Sequence, residues 1–194
     1  MDDITGYLKE KRTVNVLLAN IYSVLIFIFA AILLSIVYYL IWNEDDLFGK
    51  LKKSFKNLGF FSFLFMLIIG IILHELLHGI VFSIYAKKGY KSVKFGVLWK
   101  VLTPYCHCKE PLKVREFIIA ALTPTVALGL VPSVISMFIG NIELLLFGIL
   151  FFAAGAGDLM LVSSILREKE SALIYDLPDE IGYDLYRKIE EVDE

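Results

Sequence analysis

The sequence predicts an all-α polytopic membrane protein of about four transmembrane helices, with a small cytoplasmic β-strand or hairpin and an acidic C-terminal tail. Three observations predict it. Of 194 residues, 58% are hydrophobic and 14% aromatic, and the mean hydropathy is +0.71, unlike an ordinary soluble domain. The apolar residues are bunched into four stretches, each beyond the ~18 to 20 residues that cross a bilayer. The net charge is only -2 and the two cysteines stand two positions apart. A disulfide scaffold, a disordered chain and a basic nucleic-acid binder are thereby excluded, so the expected surroundings are a lipid bilayer and no nucleic acid.

The spans cover about 14–42, 58–86, 117–139 and 142–166. Each is expected to be helical, because in hydrocarbon a segment must satisfy its own backbone hydrogen bonds. The first is too long for the ~7 to 15 residue h-region of a signal peptide and no small-residue cleavage site follows it, so it reads as a retained helix. Residues 1–166 form one transmembrane domain on this reading, and 167–194 a tail. With both termini cytoplasmic, 15 Lys and Arg residues lie inside and 4 outside, the topology that the positive-inside rule favours for a multi-pass protein of the cell membrane. The four outer lysines share the segment from Asp46 to Leu58 with Leu47, Phe48, Leu51, Phe55 and Leu58. That helical spacing predicts a short amphipathic helix on the membrane surface, with a solvated basic loop as the alternative.

The cytoplasmic loop 87–116 carries Val93, Phe95, Val97, Trp99 and Val101 in alternation with other residues, the period-two pattern of a strand. Pro104 then marks an edge or a turn. The tail has a net charge of -6 against +4 for the rest. Its apolar residues, among them Ile174, Tyr175, Ile181, Tyr183, Leu185 and Tyr186, are too many for a disordered tail, and it is expected to dock on the basic loop.

Chemistry concentrates in the second span, at His74-Glu75-Leu76-Leu77-His78. Histidines at i and i+4 project from one helical face and can share a metal ion, while Glu75 beside them can take a proton from a bound water. This is the HExxH signature of zinc hydrolases, so Zn2+ is the expected cofactor. A carboxylate near a bilayer centre costs roughly 2.5 to 3.5 kcal/mol. One other carboxylate lies deep in a span, Asp158, and a divalent cation held by two imidazoles and that carboxylate would offset the cost of both. His78 is nine residues from Lys87, and Asp158 nine from Arg167, so both lie roughly 13 Å below the same surface. Small residues, Gly70, Gly79 and the run from Ala153 to Gly157, would let the helices approach.

Other readings stay open. A buried polar pair without metal is the bland account of the histidines, and a structural acceptor that of Asp158. Glu143 at the far end of the fourth span and the Glu180/Asp184 pair of the tail are rival third ligands. Cys106-His107-Cys108 tempts a second metal site, but three adjacent donors on an extended chain point to alternating faces and cannot all hold one tetrahedral ion. They read as loop residues, with His107 as a candidate for polarising the substrate or stabilising the transition state.

The set of HELLHG in one span, Thr123, Pro124, Thr125, Gly129 and Pro132 in the next, and Gly157-Asp158 after it resembles site-2 protease-type intramembrane zinc metalloproteases. It resembles more closely a prokaryotic membrane family described only as zincin peptidases, in which a loop like Tyr105 to Pro111 precedes the third helix. The resemblance implies zinc on His74, His78 and Asp158 with Glu75 as the base. The chain departs from the site-2 pattern by having Gly157-Asp158-Leu159 in place of Leu-Asp-Gly and by lacking an Asn-x-x-Pro element upstream. No PDZ or CBS module is seen, so substrate choice is expected to rest with the helical domain.

The expected activity is hydrolysis of a peptide bond in a membrane protein or peptide, within or beside the bilayer. A non-catalytic zinc-binding membrane adaptor is the first alternative. A metal transporter is the second, disfavoured by a single cluster at one depth.

Overall fold

The computed structural model describes residues 6–13, 15–43, 46–99, 103–177 and 182–189. The chain is mostly helical, with a small antiparallel sheet. In order it runs β1 (Tyr7–Thr13), α1 (Val16–Trp42), α2 (Leu47–Leu58), α3 (Phe60–Tyr85), β2 (Val93–Leu98), β3 (Thr103–Cys108), β4 (Leu112–Lys113), α4 (Val114–Pro124), α5 (Val131–Ile139), α6 (Ile142–Ala154), α7 (Ala156–Ile165), β5 (Leu173–Asp176) and β6 (Gly182–Lys188). A 3-10 turn at Gly89–Ser92 precedes β2, and a π-helical turn at Thr125–Leu130 joins α4 to α5.

Three helical stretches are long and apolar enough to cross a membrane: Asn20–Trp42, Phe60–Tyr85 and Val114–Ile139. The expected fourth span is broken: α6 and α7 meet at a 46° bend. The cause is local, since Gly155 caps α6 within a run of small residues that cannot support a stiff helix by side-chain packing. The predicted amphipathic segment is α2, whose N-cap Asp46 accepts a hydrogen bond from the Gly49 N–H at 2.8 Å.

The chain divides into two compact units. One comprises 1–18, 75–123 and 159–194, the other 19–74 and 124–158. In the first, a four-stranded sheet in the order β1-β6-β5-β4 and a two-stranded β2-β3 hairpin accompany helical segments. Its core joins Phe82, Cys108, Phe117, Ala120, Ile165, Ile174, Tyr183 and Leu185. The second has a smaller core of Tyr38, Ile142, Leu145 and Ile149.

Two expectations need correction. The tail does not merely dock; residues 173–176 and 182–188 are strands, with β6 paired to β1 from Tyr7↔Lys188 to Thr13↔Gly182 and β5 paired to β4. The reason is visible in the sheet: Ile174, Tyr183 and Leu185 are fully buried, so these residues enter the core, while the tail's charges find partners, Arg187 with Glu10 and Glu168. The all-α expectation gives way accordingly to a helical chain with six strands among the described residues. Pro104 does not stop the chain from extending. It sits within β3 opposite Val97, which is tolerated because each strand of a two-stranded sheet is an edge. Val101 lies outside the described residues.

Candidate metal centre

The i, i+4 spacing puts His74 and His78 one turn apart on one face of α3, and both are buried. Asp158 lies in the first turn of α7, where the positive end of the helix dipole favours a carboxylate. His74 Nε2 and Asp158 Oδ2 are 3.2 Å apart. One ligand atom each from His74, His78 and Asp158 lies within 4.8 Å of the others, the one group of three such residues found among the described residues.

Whether zinc fits such a group is a question of donor type and spacing. A tetrahedral ion with bonds of ~2.0 to 2.2 Å holds its donors roughly 3.3 Å apart, close to the His74–Asp158 separation. Two imidazoles and a carboxylate are a donor set that zinc accepts, with a fourth position left over. The residues fit the ion.

The hydrogen bonds around the histidines narrow their roles further. His78 Nδ1 is 3.0 Å from the Ala120 carbonyl oxygen. A carbonyl only accepts, so Nδ1 is the protonated nitrogen, and in the neutral ring Nε2 is the nitrogen that would ligate a metal. The ring is also stacked on Phe82, one turn further along α3, with ring planes 20° apart. Glu75 is half-buried beside the pair. Its charge reaches β3: burial first, and then the negative charge of Glu75, push the Cys106 thiol up.

The glycines near the histidines meet unlike neighbours. A Cβ on Gly70 would lie 2.0 Å from Phe151 of α6, whereas one on Gly79 would lie 2.4 Å from Phe95 of β2. The expected close approach of helices therefore holds at Gly70, and at Gly79 the neighbour is the hairpin. In the small-residue run the close neighbour of Gly155 is Thr125, whose Oγ1 would be 1.9 Å from an added Cβ.

His107 is not brought into the metal group. It is buried on β3, its Nδ1 is 3.3 Å from Asp176 Oδ2, and its ring meets Tyr175 edge-on. Strand alternation turns Cys106 and Cys108 to the face opposite His107, and both thiols are buried and free. Burial holds Cys108 protonated, its pKa pushed up to about 11. Of the rival ligands, Glu143 accepts a hydrogen bond from the Ser54 hydroxyl at 2.7 Å. Asp184 is buried on β6 with Lys9 Nζ at 2.7 Å, and Glu180 lies outside the described residues.

Reading the sequence for side chains missed the Ala120 carbonyl, a backbone group, and Asp176, which looked like one tail acid among ten. The signal for the first was present: a proline in an apolar helix strips the carbonyl four residues earlier of its donor, and Pro124 stands four residues after Ala120.

The model of a family described as "Putative zincin peptidase" matches residues 67–173, from within α3 to the start of β5. No curated protein and no solved structure matches the chain.

Proposed function

Since the chain belongs to the zincin peptidase family, we propose that it is a zinc-dependent endopeptidase that hydrolyses a peptide bond in a membrane protein or membrane-bound peptide, within or beside the bilayer. The observation that carries this reading is the convergence of His74, His78 and Asp158 within 4.8 Å, with a glutamate next to His74 in the chain.

His74, His78 and Asp158 would hold the ion, the imidazoles neutral and the carboxylate ionised. Zinc, when bound, supplies Lewis acidity, which activates water near neutral pH and polarises a carbonyl. Glu75 accepts the proton of the attacking water and delivers it to the leaving amine. Its place next to His74 in the chain and its partial burial support that role. His107, oriented by Asp176, is the second candidate for contact with the substrate.

An extended substrate fits the hairpin. The Lys109 N–H bonds the Ser92 carbonyl at 2.8 Å, so pairs at even positions of β2 exchange the ladder bonds and Val93, Phe95 and Val97 turn their backbone groups to the open edge. A substrate strand added there would be held by main-chain bonds. Proline at Phe95 or Val97 removes an outward N–H without touching the β2–β3 ladder; cleavage should fall, and unchanged cleavage overturns the strand-addition step.

The sheet shared by residues 7–13, 112–113, 173–176 and 182–188 supports a topology with both termini on one side of the membrane, and the excess of Lys and Arg there favours the cytoplasmic side. Zinc should be stoichiometric in detergent-purified protein and largely lost in Asp158→Ala. Glu75→Gln should retain zinc and stop cleavage of a membrane-peptide substrate. Zinc retained with no cleavage in the unsubstituted protein would instead indicate the adaptor.

A further inference from the structure

Pro124 ends α4, and its ring is fully buried. In an uninterrupted helix the N–H of residue 124 would donate to the carbonyl of Ala120. Proline has no N–H, and its ring pushes the carbonyl four residues back out of line. The oxygen thus released is the one that His78 Nδ1 approaches at 3.0 Å. Ala120 is fully buried, packed in the apolar core with Phe82 and Phe117, and a buried carbonyl needs a donor.

We infer that Pro124 is a positioning residue for the metal centre: by withholding a backbone donor it reserves the Ala120 carbonyl for His78, and so holds that ring in the Nδ1–H tautomer with Nε2 aimed at the ion. The inference rests on the zinc reading above. Two independent contacts then fix the imidazole, the hydrogen bond setting its proton and the stack on Phe82 setting its plane. A residue at 124 with an N–H would compete for the oxygen and straighten the turn that presents it. Partners of this kind, one bond removed from the metal, typically change metal affinity 10- to 100-fold when lost.

The test uses full-length protein in detergent and reads zinc affinity by chelator competition, with no assay of activity. Pro124→Ala should weaken zinc binding at least about tenfold. A backbone ester at 124, the α-hydroxy analogue of alanine, lacks the N–H as proline does and should restore the original affinity. Equal affinity in Pro124→Ala overturns the inference while leaving the zinc site intact. Loss of affinity in both variants overturns it as well, because the ring and not the missing donor would then decide. Absence of zinc from the unsubstituted protein overturns the zinc reading and this inference together. Nitrogen-15 NMR of the histidine rings needs no substitution: His78 should carry its proton on Nδ1, and a proton on Nε2 overturns the proposal.

Discussion

The first long helix and the stretch from Val114 to Ile139 are both apolar enough to cross a membrane, yet 11% of the most apolar window is buried in the first and 39% in the second. Helix α1 turns Leu25, Phe29, Ile32 and Leu40 outward, and Ala30 and Tyr38 are its buried residues among those described. The stretch 114–139 instead buries Pro124, Thr125, Gly129, Ser133 and Ser136, and its two serines close on backbone carbonyls, Ser133 on Gly129 and Ser136 on Ser133. Hydrophobicity thus has two meanings here. In α1 it is a choice of solvent, satisfied by many side chains. In 114–139 it is a fit, in which a proline, a glycine and two hydroxyls each have one neighbour to suit.

The contrast should break most sharply at Gly129. A Cβ there would lie 2.6 Å from the Cα of Phe152, and backbone cannot step aside, so Gly129→Ala should cost about 1 to 3 kcal/mol in chemical unfolding of the detergent-purified protein. A smaller effect is expected at a point where α1 bonds the end of that stretch. The Tyr38 hydroxyl donates to the Gly140 carbonyl at 2.7 Å, and Tyr38→Phe should cost about 1 kcal/mol by the same measurement.

Acid should act at Glu110, outside both apolar stretches. The Ser92 hydroxyl first, and then the Lys87 and Lys88 amides, hold this carboxyl below its ordinary value of 4.5. A depressed folded-state pKa means stability that is present above pH 4.5 and lost as pH falls below it. Glu110→Gln should flatten that part of a stability profile, and an unaltered profile would show that the bond between the end of the hairpin and the end of α3 contributes nothing. Smallest of all, Leu25→Ala on the outward face of α1 should change stability by less than about 0.5 kcal/mol. A larger loss would mean that α1 has a partner.

The same division separates what could be read from the sequence. The candidate site was legible in its side chains, because His74 and His78 keep the helical period and Asp158 is the other carboxylate deep in an apolar stretch. The strand at Val93 was legible from its alternation, and α2 from its apolar stripe. The bend at Gly155 was not, since small residues permit a break without requiring one. The tail strands were hidden because their acids dominated the composition while Ile174, Tyr183 and Leu185 carried the packing.

By itself the sequence determined the apolar helices, the spacing of two imidazoles and a glutamate on one of them, and the zincin pattern, since periodicity and residue chemistry are local properties. The tertiary structure decided that Asp158 reaches His74, that the tail joins the N-terminal strand, and that His78 bonds the Ala120 carbonyl. These depend on distant backbone coming together, which no local pattern in the sequence reports.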